Sequence, residues 1–227
     1  MKSKFLSAIA AVVALVGVSS AASAQDGRRF NWSGIYFGAG VGNVSSSASW
    51  TFINGSGTLS GSTSDAILAL HAGYQHQFKG GLVLGVETSY GRTLGVSFGG
   101  TSCPNAAFNC VGHLDDVFTL GGRMGMGIDN LLIYGSAGYA QANVSSQGNP
   151  VGGGAAVEPL SRTHVGAYYG GGLDYALTKA FSVGVDYKHL DLSSANHCPS
   201  QACTGGNARS VNPDADVVTA RFSYKFN

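Results

Sequence analysis

The sequence is poor in charge. Only 11% of its 227 residues are Asp, Glu, Lys or Arg, against about a quarter in ordinary globular chains. The balance is also flat, with 13 Lys and Arg against 12 Asp and Glu. No strong field exists to hold nucleic acid or an anionic membrane surface. Beyond the first 24 residues there is no apolar run of the ~20 residues that a membrane helix needs. Enzyme signatures are missing too. There is no G-x-S-x-G, and no Ser, His and acid set with an obvious common location. The His and Cys spacings match no standard zinc pattern, so neither a metal nor a cofactor is implied.

What is present begins with "MKSKFLSAIAAVVALVGVSSAASAQ". Lys2 and Lys4 form a basic start, Phe5 to Val18 is almost wholly apolar, and Ala22-Ser23-Ala24 is a small-residue cleavage pattern. This predicts a secretory signal peptide over residues 1–24, cut before Gln25, followed by one domain over 25–227. The run is too short for a membrane anchor. Loss of Lys2 and Lys4 leaves 11 cations against 12 carboxylates, a net charge of −1.

Glycine is abundant, 35 of 227, and the apolar residues recur with period two. In "WSGIYFGAGVGN", Ile35, Phe37, Ala39 and Val41 share one face, and Tyr36, Gly38, Gly40 and Gly42 the other. Similar alternation predicts strands over 66–75, 82–91, 117–126, 132–143, 164–177, 181–188 and 217–226. The 132–143 segment is ambiguous, because both faces carry bulk. The fold class expected is all-β, with eight antiparallel strands. Connections alternate in length. Lys79–Gly81, Ile128–Asn130 and Thr178–Ala180 are short; 45–64, 93–114, 145–162 and 193–214 are long. Tight turns at one end and long loops at the other are the pattern of an up-and-down transmembrane barrel, with short periplasmic turns and four long outer loops. A secreted sandwich has no reason to keep its long loops at one end. Trp32, Phe78, Tyr175, Phe181, Tyr224 and Phe226 fall near the short-turn end, and Tyr90, Phe118 and Tyr187 near the other, as two interfacial girdles would.

The glycines of "FGAGVGN" are not a dinucleotide loop. That reading needs G-x-G-x-x-G opening a helix, and a polar "VSSSASWTFINGSG" follows instead. An eight-stranded barrel has an interior just wide enough for side chains. Glycines 38, 40, 42, 73, 85, 121, 170 and 172 take the inward parity and leave room there.

Seven charges take the same parity: Glu87, Arg123, Asp174, Asp186, Lys188, Arg221 and Lys225. Buried charges must be paired. An interior ion-pair network is expected, with Arg123 and Arg221 bridging carboxylates from other strands. Such a network is a rigid polar plug or, alternatively, a gate for ions or very small solutes. His71 and His164 also face inward, as network members rather than ligands. Cys103 and Cys110 bracket "PNAAFN", and Cys198 and Cys203 bracket "PSQA". Four cysteines allow three connectivities. In an oxidising compartment the local pairs Cys103–Cys110 and Cys198–Cys203 are expected to staple the loop tips.

The stretches "NWSGIYFGAGVG", "LGGRMGMGIDNLLIYGSAGYA", "GGGLDYALTKAFSVGVDYKHLDL" and "VVTARFSYKF" carry a family resemblance. The sequence resembles the outer-membrane β-barrel proteins of alphaproteobacteria, labelled porin-family or major surface-antigen proteins. It is also similar to the membrane domain of the outer-membrane protein A class. The resemblance implies a monomer in the outer membrane of a Gram-negative cell, with a structural or cell-surface role: membrane integrity, antigenicity or adhesion. A narrow small-solute porin is the alternative, and a lipid-modifying enzyme the third reading. A haem-binding role known for some relatives has no compelling His/Tyr pairing here. Implied partners are outer-membrane lipids, lipopolysaccharide, the barrel-assembly machinery and host or extracellular ligands. The terminal aromatics Phe222, Tyr224 and Phe226 are the implied assembly signal, although Asn227 follows where the family usually ends on the aromatic. The chain stops at the last strand, so no peptidoglycan-binding domain is expected.

Overall fold

The computed structural model of the chain describes residues 30–53, 57–95, 101–102, 107–155, 157–198 and 208–226. The expected signal peptide lies outside them. The elements are β1 (Gly34–Phe52), β2 (Thr58–Gln77), β3 (Leu82–Thr93), β4 (Thr101–Ser102), β5 (Phe108–Ile128), β6 (Leu131–Pro150), β7 (Val157–Ala176), β8 (Phe181–Leu192), β9 (Ala195–His197) and β10 (Arg209–Lys225). Among the described residues there is no helix.

Eight long strands pair antiparallel in the order β1-β2-β3-β5-β6-β7-β8-β10, and β10 returns to β1. The closing seam runs from Tyr36 opposite Lys225 to Phe52 opposite Arg209. Closure leaves the paired backbone with no open edge at membrane level, which a lipid-exposed sheet requires. The two-residue β4 lies on β5, and β9 lies on β10.

The period-two pattern sorts the faces. Ile35, Phe37, Val41, Leu68, Leu70, Leu84, Val86, Leu120, Met124, Leu173 and Phe222 point outward and are exposed. They form the apolar band that meets lipid. The ambiguous β6 resolves by the same test. Ile133 and Tyr139 are exposed, while Leu132, Tyr134, Ala140 and Ala142 are buried inside. Short turns close one end at 78–81, 129–130 and 177–180. Asp129 takes φ 50° there, a left-handed conformation that Asp tolerates well in a tight turn.

Two expectations change. Segments 45–64, 93–114, 145–162 and 193–214 are not simply loops. β1 runs on to Phe52 and β2 starts at Thr58, and β5, β6 and β7 extend equally far. Above the lipid the outer face meets water, so its apolar residues give way to small and polar ones while the backbone ladder continues and inward side chains such as Trp50, Ser146 and Val211 stay buried. β3 and β8 end earlier, at Thr93 and Leu192. Among the described residues the barrel wall therefore continues outward as two ladders, β10-β1-β2 and β5-β6-β7. Trp32 is the second change. It is 2% exposed and tucks under the barrel rather than standing in the lipid girdle. Its backbone N–H donates to Gln77 Oε1 at 2.9 Å, and its ring packs with Val83, Leu132, Tyr134 and Ala176.

The interior is stacked in layers. Trp32 and its neighbours close the short-turn end. A charged layer follows. Above it comes an apolar layer of Val44, Ile67, Leu114, Val117, Tyr168 and Leu190 with their neighbours. Inward glycines seat the large rings. A Cβ at Gly73 would come within 2.5 Å of the Tyr36 hydroxyl, and one at Gly121 within 2.5 Å of the Tyr168 hydroxyl. The space left by Gly38 is taken by the His71 ring, whose Nε2 bonds Ser223 Oγ at 2.8 Å.

Candidate functional site

The charged layer draws side chains from seven strands. Tyr36 stands on β1, Glu87 on β3, Arg123 on β5, Tyr134 on β6, Asp174 on β7, Asp186 and Lys188 on β8, and Arg221 on β10. All are buried. Inward parity aims each at the axis, and the register brings them to similar depth: Glu87 lies opposite Gly121, and Asp174 opposite Gly184.

Arg123 is the first bridge. Its Nη2 donates to Asp174 Oδ2 at 2.8 Å and its Nη1 to Glu87 Oε2 at 3.1 Å. Nη1 also donates to the Tyr36 hydroxyl at 2.9 Å, and the guanidinium lies 3.7 Å from the Tyr134 ring centroid. Arg221 is the second bridge. Its Nη2 donates to Glu87 Oε2 at 2.7 Å and its Nη1 to Glu87 Oε1 at 3.3 Å. Nη1 also reaches Asp186 Oδ1 at 3.4 Å. Lys188 Nζ lies 3.2 Å from Asp186 Oδ2 and 3.5 Å from Glu87 Oε1. The two tyrosines donate to carboxylates, Tyr36 to Glu87 Oε2 at 2.9 Å and Tyr134 to Asp186 Oδ1 at 2.7 Å.

Three carboxylates thus face three cations, and each ion touches partners on at least two other strands or residues. The sum is neutral. In a low-dielectric interior an unmatched charge costs several kcal/mol, so this equality is what allows the layer to be buried. A small cavity lies just above it, bordered by His71, Ser89 and Lys188 and by the apolar Ile67, Val117 and Leu190.

Six of the seven expected charges are therefore brought together. Lys225 is not among them. It sits at the short-turn end, where its ammonium donates to the Asn31 carbonyl and lies 4.5 Å from the Phe30 ring centroid. Its parity is inward, but its position is one layer too low to reach the carboxylates. Phe222 and Tyr224 of β10 and Phe226 just beyond it lie on the lipid face, in ring contact with Phe37 across the closing seam and with Phe181 of β8 at 5.1–6.1 Å. Cys198 is buried and disulfide-bonded. Cys103, Cys203 and the side chain of Cys110 lie outside the described residues, and with them both expected pairings.

Two groups escaped the sequence reading. Tyr36 and Tyr134 complete the charged layer; the inward parity of Tyr36 was legible, that of Tyr134 was not. At the outer mouth a second cluster joins His164 of β7, His197 of β9, Ser146 of β6 and Arg209 of β10, all buried. His164 was expected to join the charged network, but it lies above the apolar layer and pairs with His197 Nε2 at 3.0 Å. A third polar group is on the outside, where Asp216 accepts from Tyr187 at 2.6 Å and meets His189 Nδ1 at 2.8 Å.

Comparison with known proteins agrees with this architecture. The profile described as outer membrane protein beta-barrel domain matches residues 8–226. The chain is 28% identical over 217 residues to the 31 kDa outer-membrane immunogenic protein of Brucella melitensis, covering 86% of this chain and 89% of that protein. The same figures hold for the protein of that name from Brucella suis. Among solved structures, the outer membrane protein OprG of Pseudomonas aeruginosa superposes with a TM-score of 0.53 at 16% identity, covering 89% of this chain and all of OprG.

Proposed function

The chain belongs to the outer membrane protein beta-barrel domain family, and from that premise we propose that it is a closed, non-conducting barrel of the outer membrane whose work is structural and at the cell surface. One observation carries the reading. The charged layer is neutral, each of its ions is paired, and it is sandwiched between two apolar layers. An ion crossing would have to break buried pairs and then shed water again in the apolar layer above. Both steps are costly. The Brucella relatives are named immunogenic proteins, which supports a surface patch that antibodies or extracellular ligands meet. The names of the family and of the relatives describe outer-membrane proteins rather than a catalytic activity, which supports a non-enzymatic role.

Lipopolysaccharide and the lipids of the band are the partners this reading calls for. Phe222, Tyr224 and Phe226 serve as the segment that the assembly machinery reads, through their outward, aligned aromatic faces. Planar-bilayer recording on the refolded barrel tests the central claim. Few or no discrete openings are expected for the native chain. Steady unitary currents that disappear when Arg123 is replaced by a larger neutral side chain would support the narrow-porin reading instead.

A further inference from the structure

The cluster at the outer mouth is a directional hydrogen-bond chain. Arg209 has only donors. Its Nε and Nη2 lie 3.1 and 2.7 Å from Ser146 Oγ, so both lone pairs of that oxygen are taken. The Ser146 hydroxyl must then donate. His197 Nδ1 is 3.0 Å away, whereas the Leu160 carbonyl is 3.4 Å away. His197 Nδ1 is thereby the acceptor, and its proton sits on Nε2. That Nε2–H points at His164 Nε2, 3.0 Å distant. His164 carries its own proton on Nδ1 and gives it to the Ser193 carbonyl at 2.9 Å. Every donor of this chain meets an acceptor while both imidazoles are neutral, and the His164–His197 contact accommodates a single proton.

The chain spans the gap between the two outer ladders. Arg209 and His197 belong to the side of β10; Ser146 and His164 belong to β6 and β7. β8, which joins these sides lower down, has ended at Leu192. We propose that Arg209, Ser146, His197 and His164 form a proton-operated latch, which holds β9 and the start of β10 against β6–β7 at neutral pH and releases them in acid.

A second proton on either imidazole sets N–H against N–H between His164 and His197, or a third donor against Ser146 Oγ. Among the described residues the groups facing His197 offer little compensation. They are Arg162 and His164 from β7, Arg209 from β10 and the Ser146 hydroxyl from β6, and only the Leu160 backbone of β7 favours the charged ring. Burial, then His164 and the two arginines, pushes the His197 imidazole down from 6.5 to about 4. The sign follows from linkage. Once released, His197 binds a proton near its ordinary value; latched, it does not. Closure is therefore fully held above about pH 6.5 and weakens as pH falls toward 4. The opening equilibrium should rise about 30-fold between pH 7.5 and 5. A metal bound by the two Nε2 atoms is disfavoured, because one carries a proton and two arginines face the site.

The test is amide hydrogen exchange on the full folded barrel in detergent, corrected for intrinsic rates, joined to imidazole nitrogen NMR. Residues 195–197 and 209–211 should open about 30-fold more often at pH 5 than at pH 7.5, while β5 and β6 at membrane level stay protected. His197→Gln and His164→Gln should each flatten that pH dependence. The NMR shifts should place the proton on Nε2 of His197 and Nδ1 of His164. Opening that does not change with pH overturns the latch. So does equal loss of protection through the whole barrel, or protons on Nδ1 of both rings with protection raised by added zinc.

Discussion

The two buried polar clusters solve one problem in opposite ways. At membrane level, six ions on five strands sum to zero, and two tyrosines tie in two strands more. At the outer mouth, four residues are tied by neutral donors and acceptors around a single arginine. The lower cluster has many redundant contacts: Glu87 alone meets Arg123, Arg221, Lys188 and Tyr36. The upper one is a single file, in which each link depends on the last. Redundancy suits a part that must not move. A single file suits a part that one proton can undo.

Arginine removal should break this comparison most visibly. Arg123→Met leaves Glu87 and Asp174 short of a partner and should cost about 3–5 kcal/mol. Urea unfolding of the barrel in detergent, followed by its heat-dependent gel mobility, reads that loss directly. Arg209→Met at the mouth should cost only about 1–3 kcal/mol, and the cost should appear in local exchange of β9 and β10 rather than in global unfolding. If both variants lowered the global midpoint alike, the two clusters would be parts of one cooperative unit.

A smaller effect is expected between the clusters. Gly121→Ala places a methyl against the Tyr168 hydroxyl and the Ala137 carbonyl. Tyr168 belongs to the apolar layer, so strain of about 1–3 kcal/mol should reach that layer while the Arg123 contacts persist. The smallest effect belongs to the outer face. His189 bonds Asp216 with geometry as good as any inside, yet the pair is partly exposed. His189→Ala should change stability by about 0.5 kcal/mol or less, a control for how much burial, rather than distance, decides.

Legibility in the sequence followed the solvent. Where one face meets lipid and the other a crowded interior, the two faces must differ in chemistry, and parity alone placed Glu87, Arg123, Asp174, Asp186, Lys188 and Arg221 inward. Parity does not give height along the axis, and Lys225 was misplaced for that reason. Nor does it work where both faces can be apolar or polar without penalty. Tyr134 was hidden by bulk on both sides of β6. Ser146, His197 and Arg209 were hidden in serine-, glycine- and asparagine-rich stretches that composition alone reads as loop. Trp32 was assigned to the girdle by its position along the chain, but it precedes the first strand and is free to fold beneath the barrel.

The early ends of β3 and β8 have a consequence for how the exposed part of this protein can vary. A ladder such as Asn43–Thr51 with Thr58–Ala66 rises roughly 20–25 Å beyond the lipid band, given strand rise and tilt. On it, every second residue faces outward. Gain or loss of one residue within the ladder would turn the whole outer face inward, whereas a change of two would keep it and only alter the height. Lineages of this barrel are therefore expected to differ in these fins by even-numbered steps, with odd-numbered ones confined to the hairpin tips.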